Sequence, residues 1–187
     1  ARLSMFEARL TRPRPHLDDK VLTAWNGLMI GAFARASFVL GVLVEGGSKH
    51  GAPYLEAAAR AARFIRSALW KPGTKTLLRR YRDGQAEIEA YAEDYAYLIF
   101  GLLELFRADP RAEWLEWAIE LQHRQDELFW DDEAGGWFST TGQDPTVLLR
   151  MKEEYDGAEP SASSLSVMNL TLLSHLHEHP GWSAKIE

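Results

Sequence analysis

Of 187 residues, 27 are acidic and 21 basic, giving a formal charge of −6, while 46% are hydrophobic and none is cysteine. These values suit a globular fold with a packed core and exclude disorder, disulfides, thiolate metal sites and a cysteine nucleophile. The acidic balance repels phosphate backbones, so no nucleic-acid partner is expected. No basic, apolar leader opens the chain, and its longest uncharged run, Pro160 to His177, is dotted with serines. No membrane partner is therefore expected, and a cytoplasmic location is.

In chain order, the first predicted helix lies near 18–39. Val21, Trp25, Leu28, Met29, Ala32 and Phe33 share one face, Leu22 and Ile30 lie opposite, and no charge falls between Lys20 and Arg35. A helix apolar nearly all round is buried on all sides. After a glycine-rich connection from Gly41 to Gly51, a second helix is expected near 53–70. It carries Glu56, Arg60, Arg63 and Arg66 on an outer face. Trp70 to Ala90 reads as a long connection with a strand-like run, Leu77 to Tyr81, and turn residues Pro72-Gly73 and Asp83-Gly84. A third helix, near 92–107, is again apolar, with only Glu104 charged between Tyr95 and Phe106. Asp109-Pro110 then opens an amphipathic helix near 110–129, as a cap followed by proline in the first turn. A second long connection, Trp130 to Ala158, turns at Gly135-Gly136, and a last apolar helix is expected near 161–178.

A repeat underlies this order. Tyr54-Leu55-Glu56 through Leu69-Trp70 matches Trp114-Leu115-Glu116 through Phe129-Trp130, and Leu77-Leu78 falls opposite Trp137-Phe138. Pro180 and Trp182 read as the start of a third copy, so the sequence is expected to stop inside a repeat. Inner, buried helices thus alternate with outer, amphipathic ones over a single domain, 1–187, that is all-α. Short β-hairpins are expected in the outer-to-inner connections.

Each inner helix is approached through acidic residues: Asp18 and Asp19; Glu93 and Asp94; Asp156 and Glu159 before Ser161. Parallel inner helices would bring these clusters to one end. Carboxyls in pairs serve as acid and base or nucleophile, and aromatic faces stack on sugar rings. Taken singly, the same residues read first as helix caps. Asn26 and Gly27 are poor interior helix residues. Gly27, like Gly101, reads as a close-packing position, whereas Asn26 faces the cleft or bonds nearby backbone. His175, His177 and His179 alternate and so make a poor chelate. With no GxSxG, GxGxxG, P-loop or HExxH present, no cofactor or metal is expected.

Four segments carry a family resemblance: Arg14-Pro15-His16-Leu17-Asp18-Asp19-Lys20 with Ala24-Trp25-Asn26-Gly27-Leu28-Met29-Ile30; Glu93-Asp94-Tyr95-Ala96; Gly135-Gly136-Trp137-Phe138; and Asp156-Gly157-Ala158-Glu159-Pro160-Ser161. They resemble the spermatogenesis-associated protein 20 family, whose members pair a thioredoxin-like domain with an α/α toroid similar to six-hairpin glycosidases and epimerases. The resemblance implies that this chain is a partial α/α toroid. It also implies a thioredoxin-like domain as a partner in the full-length protein. The expected function is binding or processing of a carbohydrate-type small molecule, with a non-catalytic scaffold for the thioredoxin-like domain as the alternative. The expected catalytic carboxyls are Asp18, Glu93, Asp94, Asp156 and Glu159, with Asp18 or Asp94 as base and Glu93 or Glu159 as acid. Asp19, Trp25, Asn26 and Ser161 are expected to contact ligand. Helix dipoles are expected to lower the carboxyl pKa values.

Overall fold

The computed structural model describes residues 2–43, 48–143 and 145–186. The inner layer holds α2 (Thr23–Leu43), α4 (Ala92–Ala108) and α6 (Ala162–Leu176). The outer layer holds α3 (Ser48–Ala68), α5 (Ala112–Phe129) and the short α7 (Trp182–Ile186). A further helix, α1 (Arg2–Leu10), buries none of its side chains and had no signature in the sequence. Of the connection from Gly41 to Gly51, residues 44–47 lie outside the described residues.

The repeat has a packing cause. Trp114 and Trp182 occupy matching places at the start of outer helices, and both are fully buried. Trp182 stacks on His179 with ring centroids 4.6 Å apart and lies 5.2 Å from His123. His177 and His179 therefore pack α7 onto α5 and α6. Trp137 is buried as well and donates from Nε1 to Asp126 at 3.0 Å, as a core residue of the Gly135-Gly136 turn.

Inner helices α2 and α4 run side by side at backbone contact. A Cβ on Gly27 would lie 2.5 Å from the Tyr97 carbonyl, and one on Gly101 would lie 2.4 Å from the Gly27 oxygen. Both glycines are there because nothing larger fits. α4 is enclosed on both flanks, and nearly every residue from Ala92 to Leu105 is buried. The outward flank of α2 instead bares Trp25, Met29, Phe38, Val39 and Val42, and α6 bares Val167, Met168 and Leu176.

Three helix starts differ from the sequence reading. α5 begins at Ala112 with Arg111 as its N-cap, so Asp109 closes α4 instead of capping α5, and Pro110 lies before the helix. α2 begins at Thr23, not near residue 18, because Val21–Leu22 forms β1 and pairs antiparallel with Tyr81 and Arg80 of β3 (Thr76–Arg82). β3 also pairs with β2 (Trp70–Lys71) and with β4 (Gln85–Glu89), so the expected hairpin recruits a strand from before α2. Outer helix α3 begins at Ser48, placing Pro53 inside it rather than at its start. As the sixth residue of the helix, Pro53 lies past the amides that have no helical partner and removes one backbone bond, that to the Lys49 carbonyl.

Candidate functional site

The starts of α2, α4 and α6 are joined to one another at one end of the inner layer. Asp94, in the first turn of α4, is buried and accepts from the Ala24 amide of α2 at 3.1 Å. Its other oxygen accepts from the Tyr91 amide at 2.9 Å and from Arg79 of β3 at 2.8 Å. Arg79 also pairs with Glu93 at 2.7 Å and lies over the Tyr91 ring, 4.6 Å from its centroid. Tyr97, one turn on, donates its hydroxyl to the Pro160 carbonyl at 2.5 Å, tying α4 to the approach of α6. Trp25, 60% exposed, donates from its indole to Glu159 at 3.1 Å and so spans from α2 to the same approach.

The expected site residues divide by what their polar atoms already do. Asp18 pairs with Lys20 at 3.3 Å, and Asp19 pairs with Arg82 at 2.8 Å. Neither caps α2, because β1 separates them from its first turn and Asp94 receives the Ala24 amide instead. Asp156 accepts from the Ser161 amide at 2.7 Å and the Ser164 hydroxyl at 3.1 Å. Ser161 is the N-cap of α6 and accepts from the Ser164 amide. Asn26 turns back on its own helix and donates to the Leu22 carbonyl at 2.8 Å. Glu93 and Glu159 each hold one partner and keep acceptor capacity.

Electrostatics at this end depart from the dipole expectation at one residue. Burial pushes the Asp94 carboxyl up to about 6, although Arg79 and the Tyr91 amide pull the other way. At neutral pH the Asp94–Arg79 pair is ionised, and Arg79 is held above its ordinary value by Asp94 and Glu93 despite burial. Asp156 is lowered, first by the Ser161 amide. Asp18 is lowered too: desolvation is the largest single effect and raises it, but the hydrogen bonds and charge of Lys20, with Arg82, together outweigh it. Burial drives the Tyr97 phenol upward, and Glu159, Glu93, Glu153 and Asp94 add to it. That phenol is thus the point on which four carboxylates bear. Its signal in the sequence was a tyrosine one turn beyond Glu93-Asp94 on an apolar helix. Arg79 lies on β3, fourteen and fifteen residues before its two acidic partners, and so carried no local signal.

Comparison with known proteins places this geometry. No family model matches the chain. It is 40% identical over 190 aligned residues to spermatogenesis-associated protein 20 of Rattus norvegicus, covering 97% of this chain and 23% of that protein. The human protein of the same name is 38% identical over the same shares. The chain thus spans under a quarter of the length of these homologues, and its resemblance to them runs through nearly all of it. Among solved structures, a GH76 alpha-mannanase of Bacteroides thetaiotaomicron is similar with a TM-score of 0.66 at 11% identity, covering 93% of this chain and 41% of that one. The cellobiose 2-epimerase of Spirochaeta thermophila is similar with a TM-score of 0.65 at 18% identity, covering 89% and 41%. An inactive alpha-1,6-mannanase variant of Salegentibacter sp., in complex with alpha-1,6-mannotriose, has a TM-score of 0.66 at 14% identity, covering 98% and 49%. The fold is an α/α toroid of the glycosidase and epimerase kind, of which this chain matches less than half.

Proposed function

We propose that this homologue of one segment of spermatogenesis-associated protein 20 supplies the part of a toroid at which the longer protein binds, and processes, a carbohydrate-type small molecule. The observation that carries the reading is the Trp25–Glu159 bridge across the joined helix starts. An exposed indole face suits a sugar ring, and carboxylates with spare acceptor capacity suit its hydroxyls. In this reading Trp25 stacks, Glu159 and Glu93 contact ligand and provide the acid, and Tyr97 orients them. Asp19 lies at the rim. Asp94, Asp18 and Asp156 hold the approaches, their carboxylates already accepting backbone amides. A glycan and sugar-phosphate binding screen on the longer protein tests it. Trp25→Ala and Glu159→Gln are expected to weaken binding at least about tenfold, the loss of one charge-assisted hydrogen bond or one stacked ring. A longer protein that binds no saccharide would end the reading.

A second reading has its own observation in support. Asp18, Asp94 and Asp156 all accept backbone N–H groups, as structural caps do. This favours a non-catalytic scaffold that docks a thioredoxin-like domain in the longer protein. Cross-linking between that domain and the face around Trp25, in a protein that binds no sugar, would select it.

A further inference from the structure

The inner layer ends in two open flanks, one on α2 and one on α6, with α4 enclosed between them. On α2 the exposed or half-buried residues Trp25, Met29, Ala32, Ala36 and Val39 follow one another at alternating steps of four and three. On α6 the exposed residues Ser164, Met168, Thr171 and His175 do the same, with Val167 beside them. Such steps trace a seam along one side of a helix, the pattern by which a second helix lies lengthwise against the first. Neither seam holds an aspartate, glutamate, lysine or arginine. Arg35, at the edge of the α2 seam, is committed to Glu104 of α4. The two hydroxyls of the α6 seam are spent as well, Ser164 on Asp156 and Thr171 on the Val167 carbonyl. Both seams can therefore be covered without stranding a polar group.

The comparison folds indicate what covers them. This chain matches 41% to 49% of the solved toroids, so one copy is close to half a ring, and its bare seams lie on the two ends of that half. A twofold axis along the ring would seat α6 of each copy on α2 of the other and close both ends at once. The levels agree. The inner helices start at one end of the layer, and Met29 is the seventh residue of α2 as Met168 is the seventh of α6. Parallel neighbours of this kind bring the two methionines opposite each other.

We propose that two copies of this chain associate into a closed twofold ring of six inner helices, with α2 of each against α6 of the other. The ring sets Trp25 of one copy beside the α6 start of the second copy, so the candidate cleft is incomplete until both are present. That corollary rests on the saccharide reading of the helix starts; the ring does not.

Light scattering on the 187-residue chain, without sugar and across a dilution series, tests it. A mass of twice 21.2 kDa is expected, falling to one copy on dilution. Met29→Glu and Met168→Glu should each raise the dimer Kd at least about tenfold, because a carboxylate enters an apolar contact. Mixing Met29→Glu with Met168→Lys should recover the dimer, since one contact then pairs opposite charges and the other is unaltered. Only α2 against α6 gives that recovery. Val39→Glu and Val167→Glu serve in place of any methionine variant that loses its helical circular dichroism. A monomer at every concentration would overturn the ring, as when α1 covers the α2 seam of its own chain. So would a mass beyond two copies, a dimer indifferent to Met168→Glu, or no recovery on mixing. A monomer that binds saccharide would overturn the ring and leave the first reading standing, whereas a dimer that binds none would keep the ring and end the cleft.

Discussion

Helix α4 carries a buried carboxylate near each end, and both reach across to α2. At the start, Asp94 accepts from the Ala24 and Tyr91 amides and from one arginine. Near the finish, Glu104 is held by side chains, Arg35 at 2.8 Å and Arg107 at 3.1 Å. The first joint is dehydrated at its carboxylate, with Arg79 28% exposed. The second opens to solvent through its arginines, which are 56% and 66% exposed. Burial therefore wins at Asp94 and raises its pKa, whereas at Glu104 the two guanidiniums outweigh burial and lower it. Identical chemistry on one helix is thus a rigid structural cap at one end and an adjustable surface-linked pair at the other.

The largest way to break this contrast is Asp94→Ala. It strands two amides and leaves Arg79 paired with Glu93 alone, and should cost about 3 kcal/mol in urea unfolding, the low end of the range for removing one partner of a buried charge pair. Gly27→Ala attacks the contact between the two joints and should cost about 2 to 3 kcal/mol, since a methyl group there meets backbone that cannot yield. Glu104→Gln should cost only about 1 kcal/mol at neutral pH, because its exposed arginines are well solvated.

The pH profiles should run in opposite directions. The Asp94 carboxyl titrates at about 6 in the fold against 3.8 when unfolded, so the folded state holds the extra proton between those values. Its contribution to stability is largest at the acid end and falls as pH rises from about 4 to 6. Glu104 lies below its ordinary 4.5, so its contribution is present above that value and is lost as pH falls through the folded pKa. Asp94→Asn should flatten the first slope and Glu104→Gln the second, read as unfolding midpoints from pH 3 to 7. Matching slopes in both variants would mean that burial does not separate the two joints. The smallest effect is expected at Ile88, which holds φ at +63°. Ile88→Gly should gain about 0.5 kcal/mol, as relief of backbone strain slightly exceeds the added chain entropy.

What the sequence made legible was periodic or local. The sixty-residue echo of Trp114 at Tyr54, and again near Trp182, located the outer helices, and Gly27 with Gly101 announced a tight helix contact. Ser161 read as a cap and is one. What stayed hidden depends on partners far along the chain. Nothing near Asp18 says that Val21–Leu22 will join a strand at Tyr81, so α2 was begun too early. Nothing near Asp94 says that it receives an amide from another helix, and dipole reasoning gave its pKa the wrong direction because burial is a tertiary property. Tyr97 passed unnoticed as one more apolar-helix aromatic until its hydroxyl met Pro160.

The anchoring of the first turn of α2 also fixes an order of events during synthesis. Thr23 donates to the Leu78 carbonyl 55 residues on, the Ala24 amide waits for Asp94 at 70, and Trp25 finds Glu159 at 134. Three consecutive residues are therefore secured by three successively later stretches of polypeptide. While the ribosome is still making the β3–β4 hairpin, the body of α2 can coil against α3, but its leading turn has no acceptors and must fray. Each new hairpin then locks one more residue of that turn, with the loop-closure cost rising only slowly with separation. Trp25 is the last to be fixed, which would make its indole fluorescence a reporter of when the α6 approach arrives.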